Sequence, residues 1–271
     1  IVLSYEPRGF GTSGGLVDTA GPKDIADFSK VIDFLIEHYP VDENAIGAGG
    51  ISYGAGISVI GAAKDPRIKA VSAMSGWGSL KESLYGNQTP RVVWATILGL
   101  SGEQSGQLDP MVSESIEILI EQDLERQQEV IDWAEPRSPI NYIDELNENG
   151  TALYFGKAYG DNLFQPNSLM DMFSQLEVPK HIDLVPGTHA TAELVPFLMG
   201  TGDNTLWENT FKWFDIHLKG ETNDLADAKP LNMKIKMQNR YESFDDYPIA
   251  EATPDTFYLH PRRTFDNGDL E

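Results

Sequence analysis

Gly50-Ile51-Ser52-Tyr53-Gly54 is the stretch that decides how this chain is read. It fits the pattern G-x-S-x-G, which on its own occurs often by chance. The setting gives it weight. Ala45 to Gly49 precedes it as a short apolar strand, and Ala55 to Lys64 follows as a helix of small residues. A serine on a tight strand-to-helix turn is the arrangement of a nucleophile elbow, in which the hydroxyl stands at the carboxyl end of a sheet beside a helix N-terminus. The flanking glycines keep side chains out of a cramped, strained turn.

The surroundings repeat the same rhythm. Ile1 to Tyr5 reads as a buried strand running into a glycine-rich loop, Pro7-Arg8-Gly9-Phe10-Gly11-Thr12-Ser13-Gly14-Gly15. Ile25, Phe28, Val31, Ile32, Leu35 and Ile36 recur at helical spacing, so Lys23 to His38 is an amphipathic helix, with Pro22 at its first turn and Pro40 ending it. Ile68 to Met74 is a third buried strand. Strands alternating with helices imply an α/β class fold with a doubly wound, mostly parallel sheet.

Leu80 to Arg137 interrupts the rhythm. It holds the run Val92 to Leu98 and the acidic stretch Met111 to Trp133, whose Ile116, Leu119, Ile120 and Leu124 share a face, and it reads as a helical insertion. The alternation resumes with a strand at Ala152 to Phe155, a helix near Ser168 to Leu176, a strand at His181 to Val185 and a helix at Asn204 to Lys219. That last helix carries the stripe Trp207, Phe211, Phe214, Leu218. Residues 1–220 are thus expected to form one catalytic-type α/β unit containing the insertion 80–137. After a linker at Glu221 to Lys229, Met233 to Gln238 alternates with period two, as a half-buried antiparallel strand does, and Thr256 to Leu259 reads as another. Residues 229–271 are read as the opening of an all-β domain.

Composition bounds the function. The 271 residues are 41% apolar and 10% aromatic, enough for a real core, and carry a formal net charge of −22. A surface that acidic repels phosphate backbones and anionic lipid heads, which argues against nucleic acid and membrane partners. There is no cysteine, hence no disulfide, zinc-thiolate site or thiol nucleophile. No apolar run approaches the roughly 20 residues of a membrane helix. The sequence opens at Ile1 on a strand-like run, which reads as a piece of a longer protein, so location stays open.

A serine nucleophile needs a base, and the base an orienting carboxylate. In α/β-hydrolases these follow in the order Ser, Asp or Glu, His, each on a loop after a later strand. Asp161, in Gly156-Lys157-Ala158-Tyr159-Gly160-Asp161, and His189, in Pro186-Gly187-Thr188-His189, occupy such loops at the carboxyl ends of strands. The other histidines fit poorly. His38 ends a surface helix, His181 opens a strand, His217 lies within the last helix and His260 in the β tail. Among rival acids, Asp171 lies on a helix and Asp183 alternates with apolar strand neighbours as a solvent-facing residue would.

Taken in order, Tyr5 to Gly15, the Ser52 elbow, Arg137-Ser138-Pro139-Ile140, Gly160-Asp161 and Pro186-Gly187-Thr188-His189 resemble the X-prolyl dipeptidyl-peptidase and cocaine-esterase-like serine hydrolases. The resemblance runs from Val2 to Lys219, and the tail from Lys229 resembles the start of that family's C-terminal jelly roll. It implies an α/β-hydrolase fold with further strands upstream of Ile1, an oxyanion donor in the backbone N–H of Tyr53, a second donor from a tyrosine hydroxyl upstream of Ile1, and a helical cap over the site. Glu6 stands where the family has aspartate, a position that serves the loop rather than the chemistry. Trp77, in Ser75-Gly76-Trp77-Gly78, is a candidate for the acyl pocket and equally a candidate core residue.

The leading expectation is a serine hydrolase acting through an acyl-enzyme, an acyl esterase first and an X-Pro dipeptidyl-peptidase second. A silent hydrolase-fold binding module is the alternative of another class. No cofactor or metal is called for. The expected partner is a small ester or short peptide substrate, with self-association left open. Gly11 to Gly15 is no phosphate loop, having neither a Walker lysine nor a G-x-G-x-x-G frame.

Overall fold

The computed structural model describes residues 1–200, 202–238, 240–253 and 255–258. Its centre is one six-stranded sheet. The strands β1 (Ile46–Ile51), β2 (Ile68–Met74), β3 (Ala152–Ala158), β4 (Lys180–Val185) and β5 (Leu231–Lys234) lie side by side in chain order and parallel. The sixth, β6 (Tyr241–Phe244), runs antiparallel to β5.

Helices cover both faces, because successive side chains of a strand point to opposite sides. Val71, Ala73, Leu153, Phe155, Ile182 and Leu184 belong to the larger core. It is built with α1 (Pro22–His38) and α2 (Tyr53–Lys64). Pro22 sits in the first turn of α1, and Tyr39, extended as a residue before proline must be, stops it. Ala70, Met74, Ala152, Tyr154 and Val185 face the other way.

Between β2 and β3 the chain is almost wholly helical: α3 (Leu80–Tyr85), α4 (Val92–Ser105), α5 (Pro110–Glu121), α6 (Gln127–Ala134) and α7 (Ile143–Asn149). Asp109 caps α5 by accepting from the Met111 N–H, with Pro110 at the first helical position. The turn before α5 is tied to the N-terminal loop. Gln107 N–H donates to the Gly9 carbonyl at 2.9 Å, and Val17 N–H to the Gln107 carbonyl at 2.7 Å. The chain then adds α8 (Pro166–Gln175), α9 (Thr191–Met199) and α10 (Thr205–Lys219). No helix among the described residues is long and apolar enough to cross a membrane.

Several expectations need correction. Ile1 to Tyr5 forms no strand, and Val2 is 95% exposed. A strand needs a neighbour for its backbone groups, and no described strand lies beside this segment. The α10 stripe is rotated from the one expected: Phe211 is 63% exposed, while Leu206, Thr210 and Trp213 are buried. Phe214 and Leu218 lie against β1, where Gly47 and Gly49 leave them room. The strand expected at 233–238 begins at Leu231 and pairs parallel with β4, Leu231 opposite Ile182. The boundary expected at 229 therefore does not separate β5 and β6 from the main sheet. Leu259 and residues 260–271 of the expected β domain, including His260, lie outside the described residues. Helix α9 has no counterpart among the expected elements. It carries Pro196 in its interior and exposes Leu194, Val195, Phe197, Leu198 and Met199, so no amphipathic period marks it.

Candidate active site

The turn after β1 places Ser52. Its φ of 56° and ψ of −111° lie in a region that side chains disfavour. The strain is held by a backbone bond from Ser52 N–H to the Met74 carbonyl at 2.8 Å and by the start of α2 immediately after. Gly50 is needed here, since a Cβ would lie 2.5 Å from the Gly54 carbonyl carbon. Gly54 is not needed for space, because a Cβ there meets nothing within 4 Å. The motif's second glycine is therefore less constrained than the first, contrary to expectation.

The structure brings the three residues singled out in the sequence into one hydrogen-bonded line. Ser52 Oγ lies 2.9 Å from His189 Nε2, and His189 Nδ1 lies 2.9 Å from Asp161 Oδ2. Asp161 follows β3 and His189 follows β4, so parallel strands deliver both loops to the end of the sheet where β1 delivers Ser52. The Asp161 carboxylate is buried and surrounded by donors. Oδ1 accepts from the backbone N–H groups of Leu163 and Phe164 at 2.9 and 3.0 Å, and Oδ2 also accepts from Lys157 Nζ at 2.7 Å. Burial alone would raise its pKa. The bond from His189 and the charge of Lys157 outweigh that and hold it below the usual carboxylate range. An ionised Asp161 can only accept, so His189 carries its proton on Nδ1 and offers Nε2 to the Ser52 hydroxyl.

The histidine loop is anchored from below. Ser75, at the end of β2 with φ of 48°, accepts from the Ala190 N–H at 3.1 Å and donates to Glu193 Oε1 at 2.7 Å. Glu193 is fully buried, and desolvation raises its pKa. Two aromatic rings stand edge-on to His189: Phe164 at 5.2 Å and Trp94 at 6.5 Å between centroids. Trp94 belongs to α4, and Arg91 at the start of that helix donates to the Asn162 carbonyl at 2.8 Å. The helical insertion thus reaches the carboxyl end of the sheet over the acid loop.

Tyr53 begins α2, so its N–H has no acceptor within the helix. Its side chain runs back into the N-terminal region, where the hydroxyl donates to Asp24 Oδ2 at 2.6 Å and Phe10 packs edge-on at 5.5 Å. Burial, partly offset by that bond, pushes Asp24 up to about 6. Glu6 closes the neighbouring loop by accepting from the Thr12 N–H at 3.1 Å. Gly11, at φ of 52°, has no room for a Cβ because the Glu6 carboxylate occupies the space.

Trp77 is a core residue. It is 3% exposed, its ring lies on Gly56 of α2, and its indole N–H donates to the Arg137 carbonyl at 2.7 Å. The pocket role considered for it falls to that burial. The other described histidines stay apart from Ser52. His38 bonds the Phe34 carbonyl on α1, His181 lies buried on β4 at 3.6 Å from Asp183, and His217 packs on Trp213 within α10. Asp183 does not face solvent. Covered by α10, it accepts from Tyr154, Asn209 and Asn232. Lys157, Glu193, Trp94 and Phe164 join the site without having been expected from the sequence. Only Lys157 left a trace, a lysine in an apolar strand four residues before the acid.

Comparison with known proteins agrees with this architecture. No curated protein matches the chain in sequence. Among solved structures, a CocE/NonD family hydrolase from Staphylococcus aureus superposes with a TM-score of 0.70 at 16% identity, over 94% of this chain and 44% of its own. An acylaminoacyl peptidase from Pyrococcus horikoshii gives 0.53 at 18%, over 82% of this chain and 33% of its own. An esterase from Pyrococcus furiosus gives 0.52 at 16%, over 79% and 68%. The likeness at these identities is one of fold, and the chain spans less than half the length of the S. aureus hydrolase. A family model described as X-Pro dipeptidyl-peptidase (S15 family) matches residues 1–191, and with more than half of its length so matched, the chain belongs to that family.

Proposed function

We propose that this chain carries the catalytic centre of a serine hydrolase that cleaves an ester or amide through an acyl-enzyme, with an acyl ester as the preferred substrate. The observation that carries the reading is the unbroken line from Ser52 Oγ through His189 to the ionised Asp161. Ser52 Oγ attacks the carbonyl carbon as its proton passes to His189 Nε2. The negative charge then gathers on the former carbonyl oxygen. The free N–H of Tyr53, at the positive end of α2, is placed in sequence to receive it. Collapse expels the alcohol or amine, which takes the proton from His189. Water, activated by the same imidazole, then releases the acid and restores Ser52.

An X-Pro dipeptidyl-peptidase is the second reading, favoured by the family match. Such an enzyme must bind a free N-terminal amine, and Glu193, an acid close to the His189 loop, is closed off from solvent with one oxygen held by Ser75. The test uses the full-length protein. A fluorophosphonate probe should label wild type and not Ser52→Ala, and p-nitrophenyl esters should be turned over faster than X-Pro-anilides. Retained ester and amide hydrolysis in a folded Ser52→Ala protein would overturn the serine-hydrolase reading. Faster anilide cleavage would transfer the assignment to the peptidase.

A further inference from the structure

Lys157 is the most deeply buried cation among the described residues. It lies on β3 between Gly156 and Ala158, its side chain is completely buried, and it faces the same side as Leu153 and Phe155. A lysine at such a position would ordinarily cost stability, because an ammonium loses its hydration there. The structure gives it two partners. Nζ donates to Asp161 Oδ2 at 2.7 Å and to the Gly76 carbonyl at 2.8 Å, and it stands 5.9 Å from the centre of the Phe164 ring. Asp161 Oδ2 is also the oxygen that His189 Nδ1 reaches. One carboxylate oxygen thus lies between a fixed cation and the imidazole.

That geometry has an electrostatic consequence. When the imidazole takes the proton of Ser52, its new positive charge is stabilised by Asp161 and opposed by Lys157, both within a poorly hydrated site where charges interact strongly. The other charged groups near this pair are Glu193, buried behind Ser75, and Arg91, which leads into α4 and holds the acid loop at the Asn162 carbonyl. Glu193 is pushed by burial toward its neutral form. Burial likewise lowers the proton affinity of Lys157, while Asp161 restores part of it.

We propose that Lys157 is a positioning residue for the Ser52–His189–Asp161 line: as an ammonium it locks the Asp161 carboxylate in place and partly cancels its charge, so that His189 remains an unprotonated base to lower pH than Asp161 alone would allow. The proposal rests on the serine-hydrolase reading for its catalytic meaning. Its charge effect can be read without turnover.

The test is imidazole NMR of the full-length protein. In Lys157→Gln, which keeps a donor and loses the charge, the midpoint of the His189 titration should move up by about one pH unit or more relative to wild type, because the lost cation shares a carboxylate oxygen with the imidazole. The acid limb of kcat/KM should move with it. A role limited to hydrogen bonding would be rescued by Gln and leave both midpoints where they were, which would overturn the proposal. Wild type supplies a second measurement that needs no variant to fold. The Lys157 ¹⁵Nζ signal should be that of an ammonium at pH 7, and a neutral amine would overturn the proposal equally. Failure of the serine-hydrolase reading would show separately, as wild-type protein that Ser52-directed probes do not label.

Discussion

The ring of Trp77 rests directly on Gly56: a Cβ at Gly56 would lie 2.3 Å from the edge of the indole. The contact joins the helix that follows Ser52 to the loop that follows β2. It also holds the indole N–H on the Arg137 carbonyl. Gly56→Ala should therefore displace Trp77 and cost about 1–3 kcal/mol, the range for overpacking a closed core. Gly54→Ala, two residues earlier and with open space, should be neutral or stabilise by up to about 1 kcal/mol. Urea unfolding of the two variants side by side checks this. Equal destabilisation by both would show that helix position, not the indole, sets the cost.

A second expectation concerns Arg137 and Asp18. Both are buried. The guanidinium donates to Asp18 Oδ1 at 2.7 Å, to the Asp18 carbonyl at 2.9 Å and to the Trp133 carbonyl at 2.7 Å, and stacks 4.6 Å from the Trp133 ring centre. Arg137→Met leaves Asp18 buried without its cation and should cost about 3–5 kcal/mol. Pairing it with Asp18→Asn should recover part of that loss. Chemical denaturation of the single and double variants measures the difference, and no recovery would mean that the packing against Trp133 carries the effect.

Asp24 gives a dependence of stability on pH. Its folded pKa, about 6, lies above the ordinary carboxyl value of 3.8, because burial disfavours the charge more than the Tyr53 hydroxyl favours it. A raised carboxyl pKa means the folded state holds a proton that the unfolded chain has released. Its contribution is therefore complete below about pH 4 and is lost as pH rises to about 6. Asp24→Asn, which cannot ionise, should be more stable than wild type above pH 6 by about 1–3 kcal/mol, the gap closing toward pH 4. Unfolding at pH 4.5, 6 and 7.5 tests the sign, and a gap that widened toward acid would contradict it.

Asp161→Asn is the sharpest kinetic probe of the site. Every neighbour of the carboxylate donates: two backbone N–H groups, the Lys157 ammonium and His189. An amide NH₂ must face donors whichever way it is turned. Turned toward His189, it forces Nδ1 to accept and puts the ring proton on Nε2, where Ser52 needs a base. Turnover per folded molecule should fall by about 10⁴-fold, and stability by about 3–5 kcal/mol, because the buried Lys157 loses its anion. Ser52→Ala should fall by several orders of magnitude and lose all covalent labelling. Steady-state rates per folded molecule separate this from a structural aspartate, whose replacement would lower stability and leave the rate nearly unchanged.

The order of residues was enough for whatever is written in local pattern. The strand, turn and helix around Ser52 were legible because a nucleophile elbow is a short-range conformation with its own glycine requirement, met here by Gly50. The span of β2 and the helical insertion were legible for the same kind of reason, a period or a break in one. The loops bearing Asp161 and His189 were legible as positions, since parallel strands end on one side and the loops after them must share it. Tertiary structure decided the rest, because burial belongs to neighbours that are distant in the chain. Lys157 and Asp183 are charges on apolar strands, and only the layers packed over them decide whether such charges meet water or partners. Trp77 became a core residue because Gly56, on another element, left space beneath it. Strands β5 and β6 joined the hydrolase sheet because β4 offered an unpaired edge, and the period-two pattern of residues 233–238 says which faces alternate but not which strand lies alongside. Periodicity records how a segment divides its two sides; which segment covers each side is fixed only when the whole chain is packed.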